Sequence, residues 1–369
     1  MKKSINISIP FIFLFFFFIS ISYANEPAKE KRSVMDMHGR KVSISLKVKK
    51  IACLPCPAYE RIFMLGGKDQ IGEVRRDMKT AYPLANLANP DLKNYSSRVT
   101  NINPKVRINI EEFIKVEPDV VLYYYVPSAI QKFEEASIPV YVIWSNKKVK
   151  TLDQGIKDDK RLIRSLADLL GGDAPEQAEK WCVYYDEKVS LIQSRTKDIK
   201  DSDRPKIYIS NSWGNNPLAT SGGYATSFTI NLCGGKSVTE TIFGSKFPEV
   251  ALEQVIAWNP DVIIVDNTGN NPDRVIKFIS NDQNWSVIDA VKQNRIHKIP
   301  SGVFYLDKGS SKPLYYLWLA KQIVPERFKD IDITEEIQFY FKEFYRHDLS
   351  VENAEHAIKG WEFNPDNQY

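Results

Sequence analysis

Cys53 and Cys56 stand in a Cys-Leu-Pro-Cys run, between an apolar stretch and a segment that Pro57 opens as a helix. Two thiols at that spacing can close a local disulfide, or leave Cys53 buried and Cys56 free. They can also supply half of a tetrahedral site for a soft metal. Mounted between a strand and a helix, they can act as a redox dithiol, which would make the chain a periplasmic thiol–disulfide oxidoreductase. Cys182 and Cys233 have no informative spacing, and the four cysteines leave three pairings open.

Most of the other residues with chemistry to offer follow predicted strands, and open parallel sheets bind ligands beyond the carboxyl ends of their strands. The candidate ligand contacts are Cys56, Arg75, Arg76, Tyr82, Tyr125, Trp144, Trp213, Tyr224, Asn267 and Tyr305. They are mainly aromatic and cationic. Ring faces and guanidinium forks suit a planar or catecholate chelate with net negative charge. Arg75 and Arg76 lead as anion contacts, although a solvated turn explains them equally well. Tyr123 reads as strand packing, whereas Trp213, in a Ser-Trp-Gly-Asn loop, has no periodic apolar setting. His38, His297, His347 and His356 are scattered, and none sits in a ligand-like pair. A bare metal ion is therefore disfavoured, and a preformed chelate or an oxyanion is favoured. The sequence has no Gly-x-Ser-x-Gly elbow and no metalloprotease motif, which leaves a hydrolase without support.

The elements that hold these residues repeat. Val34 to Val42 reads as strand, turn and returning strand. From Lys50 onward, short apolar strands alternate with helices, which implies crossover units and mainly parallel sheets. Ile110-Glu-Glu-Phe-Ile-Lys-Val-Glu-Pro-Asp-Val-Val-Leu aligns without a gap on Leu252-Glu-Gln-Val-Ile-Ala-Trp-Asn-Pro-Asp-Val-Ile-Ile. Between the two halves, residues 151–170 are helical, and Pro175 restarts a helix reaching about Lys197. Ala178, Trp181, Cys182, Tyr185, Val189 and Ile192 share one face of that second helix. At 1.5 Å per residue it is roughly 35 Å long, enough to cross from one half to the other. The fold class expected is α/β, two lobes with mainly parallel sheets joined by one long helix.

The N-terminus bears on the compartment. Lys2 and Lys3 precede an apolar stretch ending near Ile21, and Ser22-Tyr23-Ala24 offers a small-x-small exit. This reads as a signal peptide cleaved after Ala24, delivering the protein to the periplasm. The domain plan is then signal peptide 1–24, first lobe 25–150, helical linker 151–200 and second lobe 201–369. The formal charge of +4 includes Lys2 and Lys3, and no basic cluster accompanies it, which argues against nucleic-acid binding. A monomer is expected.

In its order of segments the chain resembles the helical-backbone class of periplasmic substrate-binding proteins, which serve ABC importers for iron–siderophore, haem, cobalamin or oxyanion ligands. The resemblance rests on Val34-Met-Asp-Met-His-Gly-Arg-Lys-Val, the strand–loop–helix from Lys50 to Gly67 and the two Glu-containing repeats. The connecting helix and the run from Asn284-Trp285 to Ile299-Pro300-Ser301-Gly302 complete it. It implies a solute-binding protein with no enzymatic activity and no cofactor, a ligand cleft between the lobes and little hinge motion, with an iron chelate ranked ahead of an oxyanion as ligand. It also implies docking of Glu111 and Glu253 onto arginines of the permease subunits. Cys53-Leu-Pro-Cys56 departs from the family, which usually has small or polar residues there.

Overall fold

The computed structural model describes residues 30–98, 109–145, 149–211, 215–221, 223–242, 248–266 and 272–360. The expected signal segment lies outside these residues. An antiparallel hairpin opens the described chain, with β1 (Lys31–Met35) against β2 (Lys41–Ser45) and Val34 opposite Val42. Gly39 makes its turn at φ +88°, a left-handed conformation that glycine enters without steric cost.

Two four-stranded parallel sheets follow. The first contains β3 (Ile51–Cys53), β4 (Ile71–Val74), β5 (Val120–Tyr123) and β6 (Val140–Val142), in the order β4-β3-β5-β6. The second contains β7 (Lys206–Asn211), β8 (Lys236–Ser237), β9 (Val262–Asp266) and β10 (Ile296–Lys298), in the order β8-β7-β9-β10. Both halves thus place their second strand at the edge, beside the first. The strands are two to six residues long, short enough that flanking helices cover both faces.

The helices of the first half are α1 (Cys56–Met64), α2 (Arg76–Thr80), α3 (Pro83–Ala88), α4 (Ile110–Val116) and α5 (Pro127–Glu135). Next come α6 (Leu152–Leu170) and α7 (Ala174–Thr196). The second half carries α8 (Tyr224–Leu232), α9 (Leu252–Trp258), α10 (Pro272–Asn281), α11 (Asp289–Lys292), α12 (Lys312–Ile323), α13 (Ile333–Tyr345) and α14 (Val351–Lys359). The connecting helix expected from Pro175 to about Lys197 is α7, and its predicted inner face, including Trp181, Tyr185 and Ile192, is buried. It does not join the halves alone, because α6 and α12 pack along it.

Strand alternation explains how the layers assemble. Ile51, Cys53, Val120 and Leu122 of the first sheet, and Ile207, Ile209, Val262 and Ile264 of the second, face one shared core with Trp181 and Tyr185. The intervening residues Ala52, Val121 and Tyr123 pack with Phe113 and Phe133. Their counterparts Tyr208, Ile263 and Val265 pack with Val275, Ile279 and Trp285. Full burial of each such large apolar side chain contributes roughly 1.5–3 kcal/mol, so the shared core supplies much of the driving force for joining the halves.

The sequence repeat is also a repeat of geometry. α4 ends at Glu117 and α9 at Asn259, both left-handed, at φ 49° and 43°. After each comes Pro-Asp. The Asp119 carboxylate accepts from the Lys49 and Lys50 amides at 2.8 and 3.0 Å, and Asp261 accepts from the Lys206 amide at 2.6 Å. Each aspartate therefore ties the start of a third strand to the start of the first strand in its own sheet.

Candidate ligand-binding site

The carboxyl ends of β3 and β4 deliver the first wall. Pro55 caps α1 with extended backbone and Pro57 fixes its first turn, so Cys56 emerges directly beyond the strand end. β4 ends at Val74, and Arg75 is the extended cap of α2. The Arg75 guanidinium forks onto the Asp77 carboxylate through Nε and Nη2. Cys56 Sγ donates to the same carboxylate at 3.6 Å. Burial pushes the Cys56 thiol well above its ordinary pKa.

Tyr82 closes the floor. Its ring lies 5.2 Å from Phe304 and 5.6 Å from Tyr305, both in the second half. Burial raises the Tyr305 hydroxyl to about 12, so it is a neutral donor. Beyond it the Lys308 ammonium sits 5.6 Å from the Tyr305 ring centroid and bonds Asp266, at the end of β9, at 2.9 and 3.1 Å. Asp307 also reaches Lys308, at 2.9 Å. Burial pulls the ammonium's pKa down, but Asp307 and Asp266 outweigh it and hold Lys308 above its ordinary value. Asp307 Oδ1 is buried without a hydrogen-bond partner among the described residues, and burial raises that carboxyl against the pull of Lys308.

A third cation lies between the halves. Arg61, one turn into α1, donates from Nη1 to the Pro57 carbonyl at 3.1 Å and from Nη2 to the Lys308 carbonyl at 3.2 Å. Its guanidinium carbon is 6.0 Å from the centroid of Trp144, whose ring stacks on Tyr124 at 5.0 Å. Neighbouring Glu60 is fully buried, accepting from the Ser310 amide at 2.8 Å and from the Ser310 and Tyr345 hydroxyls. Gly309 makes this approach feasible, since a Cβ there would stand 2.7 Å from Glu60 Oε2.

The structure thus gathers Cys56, Arg75, Tyr82 and Tyr305, with Trp144 at the rim. It does not bring Arg76 or Tyr125 to them. Arg76 is exposed on α2, and Tyr125 stacks on His38 at 3.5 Å, beside the hairpin turn. Trp213 and Asn267 lie outside the described residues, as does the side chain of Tyr224, whose backbone opens α8. Sequence reasoning missed Arg61, Asp77, Asp266 and Lys308. Their pairings span tens to hundreds of residues, apart from Asp77, whose place two residues after Arg75 was a local signal. Among the described residues no three or more His, Cys, Asp or Glu side chains are grouped to hold a metal ion.

Two parallel sheets of one topology meet at a seam lined by paired charges and rings. Residues 59–303 match the profile of the periplasmic binding protein family. The chain belongs to that family. As a periplasmic binding protein of the ABC-transporter type, it is 28% identical over 268 residues to the molybdate-binding protein MolA of Haemophilus influenzae, covering 67% of this chain and 72% of that one. A periplasmic solute binding protein from Veillonella parvula superposes with a TM-score of 0.74 at 27% identity, covering 89% of this chain and 97% of its own. The structure of MolA bound to molybdate gives a TM-score of 0.74 at 24% identity, over 86% of this chain and 99% of that one, a likeness of fold. Members of this family are solute-binding proteins, and the helical-backbone architecture found here is theirs.

Proposed function

We propose that this periplasmic binding protein captures a small oxyanion of the molybdate class in the crevice between its halves and delivers it to a membrane permease. The observation that carries the reading is the contact of Tyr82 with Phe304 and Tyr305, 5.2 and 5.6 Å away across the crevice. Rings this close leave a narrow floor, which suits a compact anion better than a bulky one. Arg61, Arg75 and Lys308 offer donors beside it, and charge-assisted hydrogen bonds to an anion are the stronger kind. The similarity to MolA points the same way.

A ferric chelate is the second reading. It is supported by the stacked Tyr124–Trp144 pair, whose Trp144 ring is half exposed at the rim and offers a flat apolar face. In either case the family implies export, here through cleavage of residues 1–24. Lobes at 25–150 and 201–369 would be joined through 151–200, and Glu111 and Glu253 would meet the permease. Both glutamates are exposed in the first turns of α4 and α9. The oxidoreductase reading has little support, because burial raises the pKa of both Cys53 and Cys56, opposite to the lowered value an attacking thiol needs.

Isothermal titration with molybdate, tungstate, sulfate, phosphate and a ferric catecholate separates the readings, supported by native mass spectrometry of protein from its own periplasm. Saturable binding of molybdate and tungstate, with copurified molybdenum or tungsten, is expected. Bound iron and binding of the catecholate alone would replace the oxyanion with a chelate.

A further inference from the structure

The three cations of the crevice are not equally compensated. Lys308 has two carboxylates, Asp266 and Asp307, and Arg75 has Asp77 in a fork. Arg61 has none. Its two hydrogen bonds among the described residues go to neutral carbonyls, and only 6% of its surface is exposed. Glu60 precedes it in the helix but turns its carboxylate to Ser310 and Tyr345. The internal segments beyond the described residues contain no Asp or Glu in their sequence.

A buried charge without a counter-charge costs several kcal/mol, and proteins usually remove it or pair it. A guanidinium has five N–H donors, and Arg61 uses two of them. Its place is not arbitrary either. It touches the rim through Trp144 of the first half and the Lys308 carbonyl of the second, so a group seated against it contacts both halves at once.

We infer that Arg61, and not the Arg75–Arg76 pair, supplies the positive charge that the ligand's negative charge completes. The inference rests on the anionic reading of the ligand and adds its selectivity. Arg75 and Lys308 carry their own carboxylates and contribute geometry, so the crevice favours an anion that can approach one guanidinium edge. A ligand whose charge must be shared among three free cations is rejected. The empty protein is correspondingly held below its attainable stability, and ligand binding relieves that strain.

The test combines stability and binding in the full-length mature protein, with molybdate and a ferric catecholate as probes. Arg61→Met is expected to leave the melting temperature of the ligand-free protein unchanged or higher, while weakening binding of the preferred probe by roughly 10- to 100-fold. Arg61→Lys, which keeps the charge without the fork, should recover part of the affinity. Arg75→Met should lower the ligand-free melting temperature, because Asp77 loses its partner, and weaken binding less. If Arg61→Met lowers the melting temperature and binds as tightly as wild type, Arg61 is structural and the inference fails while the anionic reading stands. If wild type binds neither probe, the anionic reading falls and this inference falls with it.

Discussion

The ring of Tyr82 meets that of Tyr305 edge-on, their centroids 5.6 Å apart and their planes inclined at 75°. One belongs to the loop before α3 and the other to the loop before α12, 223 positions later by residue number. This contact is one of those that join the two halves at their seam. Edge-to-face pairs contribute about 0.5–1.5 kcal/mol beyond the area they bury. A double-mutant cycle of Tyr82→Leu and Tyr305→Leu, read by urea unfolding, should give a coupling energy in that range, with reduced ligand affinity in both single variants. A coupling near zero would mean that the rings are neighbours only.

The two Pro-Asp turns should be interchangeable in effect. Asp119→Ala strands the Lys49 and Lys50 amides, and Asp261→Ala strands that of Lys206. Each loss should cost about 1–3 kcal/mol in chemical denaturation. As the two clamps serve separate sheets, the double variant should be additive within about 0.5 kcal/mol.

His297, on β10, gives the protein an acid-sensitive point. Burial, helped by Arg295, lowers its pKa from 6.5 to about 4, so the folded protein holds the neutral ring. The unfolded chain takes up a proton below pH 6.5 that the folded chain refuses until about pH 4. The stability that depends on a neutral ring is therefore complete above pH 6.5 and is lost as the pH falls through that window. Melting temperatures between pH 7 and 4 should fall less steeply for His297→Asn than for wild type.

Glu111 and Glu253 form no ion pair with a described residue, although each stands in the first turn of its helix. Rim charges govern encounter and orientation more than affinity. Charge reversal of both, Glu111→Lys and Glu253→Lys, should leave ligand affinity within about twofold of wild type. It should sharply reduce stimulation of the permease ATPase in reconstituted vesicles. Equal stimulation by the double variant would move the docking surface elsewhere.

Much of the fold was legible in the sequence. The helices expected over residues 151–170 and from Pro175 to about Lys197 form as Leu152–Leu170 and Ala174–Thr196. The repeat around Pro118-Asp119 and Pro260-Asp261 foretold two sheets of one kind. The crevice was much less legible. Arg75 was visible as a loop cation, but its neutralisation by Asp77 depends on how α2 begins. Arg61 sits in an apolar helix, where a charged residue reads as surface, and its contact with the Lys308 carbonyl spans 247 positions. Asp266 and Lys308 are 42 positions apart in segments of different type. Periodicity reports which face of an element is buried, but it does not report which distant side chain that face will meet.

The apolar layer that runs beneath both sheets, through Ile51, Val120, Ile207 and Val262 to Trp181 and Tyr185, has a consequence for dissection. Excising either half would expose the underside of its sheet to water, so neither fragment should survive alone. Heating the intact chain should produce a single calorimetric endotherm. The two halves share one topology, and this common foundation binds them into one folding unit.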